Sequence, residues 1–339
     1  MMMPPKDPPY FPEHHTCALA LLEALKGHNA AVVSHARPDG DCVGAAVALT
    51  RMLNAKSISA IAINQHPVPA RLTSFIKGTP LRFGATELNG DSACVYVDCA
   101  GAERAGEQLA PKLPQALGNL DHHVTNPAFA RYNLVAHGAT ATCELIAGLA
   151  FDLGWPVDAT TASALYLGLF TDTGGFRYAA LSARTFALAA WLIERGADPG
   201  RTAYLLTVGK PWGSLDLLER FLGSRARFCE GRLAVARIAQ ADFKVTETTP
   251  EDADDFPGMM VVAEGVTIAA AFEELSDGRW KCSLRATDEA ARVDRIAETY
   301  GGGGHPCAAG FTLPEPVDVF QPAFVEAIER HLREQFPEN

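Results

Sequence analysis

The chain has 339 residues, 48% hydrophobic and 20% charged, a balance that excludes a disordered protein and exceeds one ordinary core, so two domains are expected. A formal net charge of −11 argues against a broad basic face that tracks along long DNA or RNA, and leaves small phosphorylated substrates open. No apolar run approaches a membrane span, residues Met1 to Tyr10 hold no signal-peptide stretch, and the eight cysteines form no Cys-x-x-Cys pair; the chain reads as cytoplasmic, without a membrane partner, its thiols reduced and mostly buried.

In chain order, Ala31–Ser34 reads as a buried strand and Val43–Leu53 as the helix after it. Ser59–Ile63, Cys94–Val97 and Gly118–Asp121 are further strand candidates, and Thr140–Asp152, Ala159–Phe170 and Ser182–Arg195 are helix-like. Strands alternating with helices predict a parallel α/β sheet, whose ligands bind beyond the carboxyl ends of the strands. Residues 196–215 read as a linker, beginning with the loop-like Gly196-Ala-Asp-Pro-Gly200 and running into a connecting helix at Trp212–Leu222. Strand patterns then dominate: Ala226–Cys229, Leu233–Ile238, Val266–Glu273 and Trp280–Arg285. The expectation is therefore an α/β chain of two domains, residues 1–195 with a parallel sheet and a smaller α/β domain at 216–339.

Four segments carry the chemistry. Ser34-His35-Ala36-Arg37-Pro38-Asp39-Gly40-Asp41 follows the first strand, Asp98 ends another, and Asp121-His122-His123 and Thr171-Asp172-Thr173-Gly174 supply the rest. Singly each is weak, since an aspartate after a strand is more often a helix N-cap than a ligand. Together they crowd like charges at one end of a sheet, which is unfavourable unless a cation sits among them. Mixed imidazole and carboxylate donors suit Mn²⁺, Fe²⁺ or Co²⁺, and Mg²⁺ less well. Two such ions roughly 3.5–4 Å apart would activate a hydroxide and neutralise a phosphate.

These motifs, in this order, resemble the DHH phosphoesterase superfamily. Cys282-Ser-Leu-Arg285, Val293-Asp-Arg-Ile-Ala297 and Gly301-Gly302-Gly303-Gly304-His305-Pro-Cys-Ala-Ala-Gly310 resemble the DHH-associated C-terminal domain of its nanoRNase/pAp phosphatase (NrnA-like) branch. The resemblance implies one metal on His35, Asp39 and Asp98 and a second on Asp41, Asp98, His122 and Asp172, with Mn²⁺ first and Mg²⁺ or Co²⁺ as alternatives. It implies that His123 contacts the scissile phosphate, that Asp121 orients a histidine, and that the site lies in a cleft between the domains. Arg285, the backbone of Gly302, Gly303 and Gly304, and His305 would hold a second phosphate, with Arg104 a lesser candidate. Relatives commonly carry serine where this chain has Ala286, so one substrate contact is in doubt. Implied substrates are short oligoribonucleotides, linear dinucleotides such as pGpG and pApA, and pAp, and relatives imply a homodimer. Within the superfamily a RecJ-like exonuclease and a family II pyrophosphatase-like hydrolase are the rivals; a nucleotide-binding module that keeps the fold without catalysis is the rival from another class.

Overall fold

Short runs of β-branched and small apolar residues, buried on both faces, set the first half of the chain. A computed structural model of the protein describes residues 9–84, 92–177 and 181–336. The start read for a signal peptide, residues 1–8, lies outside the described residues. The chain divides into two units, Met1–Gly209 and Lys210–Asn339.

The first unit holds a six-stranded parallel sheet of β1 (Asn29–Val33), β2 (Ala60–Asn64), β3 (Leu81–Phe83), β4 (Ser92–Val97), β5 (Ala116–Asp121) and β6 (Tyr132–Val135), in the order β3-β2-β1-β4-β5-β6. Two strands were not foreseen. β3 is three residues long and half exposed, and β6 carries Asn133 and Tyr132 in place of an apolar run. Alternate residues of β1 face different cores: Ala30 and Val32 meet the helices, while Ala31 and Val33 join Tyr96, Cys99, Ala105 and Leu109 on the other side. The helices are α1 (His15–Leu25), α2 (Gly40–Ala55), α3 (Thr142–Asp152), α4 (Ala159–Asp172), α5 (Ala183–Glu194) and α6 (Pro199–Ala203). Strand order reverses between β1 and β4, so the crevice that an open parallel sheet offers to ligands opens at their carboxyl ends. Five of the eight cysteines are buried, Cys42, Cys94, Cys99, Cys143 and Cys282, and all eight are free thiols.

Within residues 196–215, α6 and a π-helical turn at Tyr204–Val208 occupy half of the positions, and the boundary between the units falls at 209/210. The second unit contains α7 (Gly213–Gly223), α8 (Gln240–Thr246), α9 (Phe256–Met260), α10 (Val293–Thr299) and α11 (Val317–Gln335) around β7 (Ala226–Phe228), β8 (Leu233–Ile238), β9 (Ile268–Glu274), β10 (Trp280–Ala286), β11 (Gly303–His305) and β12 (Ala308–Thr312). Its sheet runs β11-β12-β10-β9-β8-β7, antiparallel except for β8 beside β9. One face packs on α10 and α11 through Phe272, Phe311, Phe320 and Phe324. On the other, α7–α9 cover Ala234, Ala236, Ala269 and Ala271 of β8 and β9. Among the described residues no helix is long and apolar enough to cross a membrane.

Candidate metal centre and phosphate-binding face

The acids and histidines expected at the sheet end arrive there from five elements, β1, α2, β4, β5 and α4. His35 follows β1, Asp39 is the N-cap of α2 and Asp41 sits in its first turn. Asp98 follows β4, His122 and His123 follow β5, and Asp172 is the last residue of α4. The ligand-type atoms of His35, Asp39 and Asp98 lie within 4.8 Å of one another, and so do those of Asp41, Asp98 and His122. Asp98 belongs to both groups. Asp172 joins the second, with Oδ2 3.3 Å from His122 Nε2.

The imidazole tautomers test whether a cation fits. His35 Nδ1 donates to the Ala36 carbonyl at 2.9 Å, and His122 Nδ1 to the Ala139 carbonyl at 3.3 Å. Both protons are then on Nδ1, and each Nε2 turns its lone pair toward carboxylates, as in metal-ligating histidines. His35 Nε2 is 3.4 Å from Asp98 and 3.6 Å from Asp39; His122 Nε2 is 3.7 Å from Asp98 and 4.0 Å from Asp41. Lone pairs facing carboxylates repel unless a cation lies between them, so the donor set fits a divalent metal.

The electrostatics of the metal-free cluster agree. Burial, helped by the carboxylates of Asp98 and Asp172, pushes the Asp41 carboxyl well above the usual range. Burial also pushes Asp172 up to about 6 against the pull of His122. Burial alone would lower His122, but Asp172, Asp98 and Asp41 outweigh it and hold its proton well above the ordinary value. Protons thus do what a metal would do, and a metal would displace them. Asp172 moreover ends a helix, where a carboxylate meets the negative end of the dipole and gains from a cation.

Asp39 is a helix cap that keeps its other oxygen turned toward the group expected to hold a metal. Oδ1 accepts the Cys42 N–H at 3.0 Å while Oδ2 faces His35. Asp98 adopts φ +55°, in the left-handed region that non-glycine residues enter at a cost, and aspartate is among the few that tolerate it. Asp121 is fully buried: Oδ1 accepts from His123 Nδ1 at 2.8 Å and Oδ2 from Asn126 Nδ2 at 2.6 Å. It positions His123, whose Nδ1 lies 3.7 Å from Asp98 Oδ1, and the ligand-type atoms of Asp98, Asp121 and His123 lie within 4.8 Å of one another.

Several supporting residues were not visible in sequence. The Thr142 and Cys143 amides donate to the two oxygens of Asp41 at 2.6 and 2.9 Å, and Thr142 Oγ1 donates to Asp98 Oδ1 at 3.0 Å. Helix α3 begins after Ala141, which has no capping side chain; Asp41 supplies the cap from α2. That missing cap was the one available signal. Asp41 fits there because residue 168 of α4 is glycine: a Cβ would lie 2.4 Å from Asp41 Oδ1 and 2.3 Å from Cys143 Sγ. Asn64, at the end of β2, donates to Ser34 Oγ and to the His35 carbonyl, holding the loop that carries His35.

In the second unit, strand register gathers the remaining candidates. Arg285 is opposite Ala308 across β10 and β12, and His305 is opposite Ala308 across β11 and β12, so all three share one row and one face. Ser283, Gly310 and Gly303 form the next row on that face. It is the face that α7–α9 cover farther along the sheet, since Ala269 and Ala271 are opposite Arg285 and Ser283. On β10–β12, however, its residues belong to no apolar core. Ala308 puts only a methyl between Arg285 and His305 in that row, and Ser283 places a hydroxyl two residues from Arg285, whereas Ala286 offers none.

The four glycines are not equivalent. At Gly302 a Cβ would meet the Gly310 carbonyl oxygen at 2.2 Å, so strand packing alone demands glycine there. At Gly303 nothing lies within 4 Å of that position, so packing makes no such demand. Arg104 is exposed on the 3-10 turn Ala102–Ala105, and its carbonyl accepts from the Ala36 N–H at 2.7 Å, which places that turn beside the His35 loop.

The DHH family N-terminal domain matches residues 29–169 and the DHHA1 domain matches residues 231–334. The chain thus carries a DHH family N-terminal domain followed by a DHHA1 domain. It is 28% identical over 294 residues to the bifunctional oligoribonuclease and PAP phosphatase NrnA of Thermus thermophilus, covering 86% of each chain. It is 26% identical over 309 residues to the protein of the same name from Mycoplasma pneumoniae, covering 88% of this chain and 92% of that one. Its fold is similar to that of an exopolyphosphatase-related protein from Bacteroides fragilis, with a TM-score of 0.84 at 19% identity, covering 95% and 97% of the two chains.

Proposed function

We propose that the protein is a metal-dependent phosphoesterase that hydrolyses short oligoribonucleotides and linear dinucleotides such as pGpG and pApA to mononucleotides, and pAp to AMP. The observation that carries this reading is the pair of donor groups joined at Asp98. His35, Asp39 and Asp98 would hold one divalent ion, and Asp41, Asp98, His122 and Asp172 a second, with Mn²⁺ favoured by the mixed donors. Bound there, the ions supply Lewis-acidic charge that neutralises phosphoryl oxygens and acidifies water.

The chain's own groups do the rest. His123, held through Nδ1 by Asp121, presents its other nitrogen to the scissile phosphate. Arg285 and His305 grip a second phosphate across Ala308, with the Gly303 backbone beside them and Ser283 as a further donor. The names of relatives that match most of this chain, oligoribonuclease and PAP phosphatase, support oligoribonucleotides and pAp among these substrates.

A panel assay with Mn²⁺ tests the reading: pAp, pGpG, pApA, inorganic pyrophosphate, and short and long single strands. Dinucleotides and pAp are expected to turn over fastest. Rapid cleavage of pyrophosphate alone would move the protein to the pyrophosphatase-like reading, and processive digestion of long strands to the RecJ-like one. Tight nucleotide binding without turnover would leave a binding module.

A further inference from the structure

The geometry points to a second oxyanion subsite, built by the first unit alone from Arg37, Gln65, His66 and Arg104 at the ends of β1 and β2; it rests on the phosphoester reading above. Its chemistry is a surplus of donors. Gln65 Oε1 accepts from the Gln108 and Leu109 amides at 2.8 and 3.2 Å, which fixes its Nε2 as the NH₂ end. That NH₂ lies 3.3 Å from His66 Nε2. His66 Nδ1 accepts the Arg37 N–H at 3.0 Å, so the proton of a neutral imidazole is on Nε2. Two N–H groups therefore sit side by side, an arrangement that an anion satisfies.

The surroundings are built for it. The Gln65 amide occupies the place a side chain at residue 106 would take, since a Cβ at Gly106 would lie 2.3 Å from Gln65 Oε1. Arg37 has φ +58°, a conformation that glycine or asparagine would adopt more cheaply. Arg104 enters through the bond from Ala36 N–H to its carbonyl, one residue from the Arg37–His66 bond. Both arginines are exposed, and neither has an ion-pair partner among the described residues. In a chain of net charge −11, two unneutralised guanidiniums and a paired N–H donor beside the His35 loop select a phosphate group. That group comes either from the substrate or from the released product.

The test begins with chelator-treated protein, so that metal cannot hold the anion. Titration with inorganic phosphate, followed by ³¹P NMR, is expected to show saturable binding that weakens about tenfold in Arg37→Gly and in Arg104→Ala, the loss of one charge-assisted donor in each. Arg37→Gly relieves the strained backbone, so its melting temperature should equal or exceed that of the parent, which separates lost binding from misfolding. With Mn²⁺ restored, a KM increase in Arg37→Gly for pAp but not for a single-phosphate ester identifies the substrate as the source. Relief of inhibition by inorganic phosphate at unchanged KM identifies the product. Absence of phosphate binding to the chelator-treated parent, or equal binding by parent and both variants, overturns the subsite. Failure of the parent to hydrolyse any ester while phosphate binding persists would instead sink the phosphoesterase reading and leave the subsite standing.

Discussion

The two units handle charge in opposite ways. Among the described residues the first buries Asp41, Asp98, Asp121 and Glu144 together with His35 and His122, inside a core of alanine, valine and leucine. The second buries one acid, Asp294, and that one is matched by the Arg292 guanidinium at 2.6 Å; its core is a cluster of phenylalanines. Arg285 stays on a sheet face outside that core. Burying several carboxylates is costly unless a cation is supplied, whereas a partly exposed arginine on a strand costs little. On the proposed reading, one unit is built around a cofactor that completes it, and the other around a surface that recognises.

The comparison breaks most visibly at Asp98. Asp98→Asn keeps a side chain that tolerates the left-handed backbone yet removes the charge shared by both donor groups. Activity should fall by about 10³-fold, and calorimetry should show weakened Mn²⁺ binding. Unchanged Mn²⁺ binding would show that Asp98 does not link the groups. Thr142→Val, which removes the hydroxyl on Asp98 and preserves shape, should cost about 10–100-fold in metal affinity or activity. An effect on melting temperature alone would make Thr142 merely structural.

Arg285→Ala probes the other unit, with KM for short nucleotides expected to rise about tenfold or more while Mn²⁺ binding is untouched. If KM and kcat both stay put, Arg285 is a surface charge. Gly302→Ala should cost about 1–3 kcal/mol from overpacking, with Gly303→Ala nearly neutral in stability. Denaturation of both variants checks the order, and a raised KM in Gly303→Ala alone would place substrate at that backbone.

The smallest effect is a surface control in the first unit. Burial pushes the Asp158 carboxyl up, but Arg51 with the Thr161 amide and hydroxyl outweighs it and holds the carboxyl at about 2. Because the folded value lies below the unfolded one, this contribution is present above about pH 4 and is lost as pH falls toward 2. The side chain is 58% exposed, so Asp158→Asn should cost only about 0.5–1 kcal/mol at neutral pH, with the difference vanishing in acid. A constant difference across that range would mean the charge contributes nothing.

Much of the first unit was legible because its central strands are dense apolar runs and its acids follow them directly. Val32 and Val33 lead to His35, and Val95 and Val97 to Asp98, with two or fewer residues between. β3, with Arg82 and an exposed Phe83, had no such contrast. α11 escaped notice although Val317, Phe320, Phe324, Ile328 and Leu332 line its buried side at helical spacing. The supporting shell was illegible for a different reason. Apart from the missing cap before Thr142, nothing near Thr142 or Gly168 in sequence announces Asp41, because that contact exists only once α2, α3 and α4 have packed. The row of Arg285, Ala308 and His305 likewise depends on register, which the glycine run alone did not specify.

The borrowed cap on α3 also bears on how the molecule assembles. The Thr142 and Cys143 amides are bonded to a carboxylate 101 and 102 residues earlier in the chain. The first turn of that helix cannot be locked by local sequence; it closes only after a long loop has been drawn shut. Hydrogen exchange at those two amides would therefore follow assembly of the centre itself, in a protein that has never turned over a substrate.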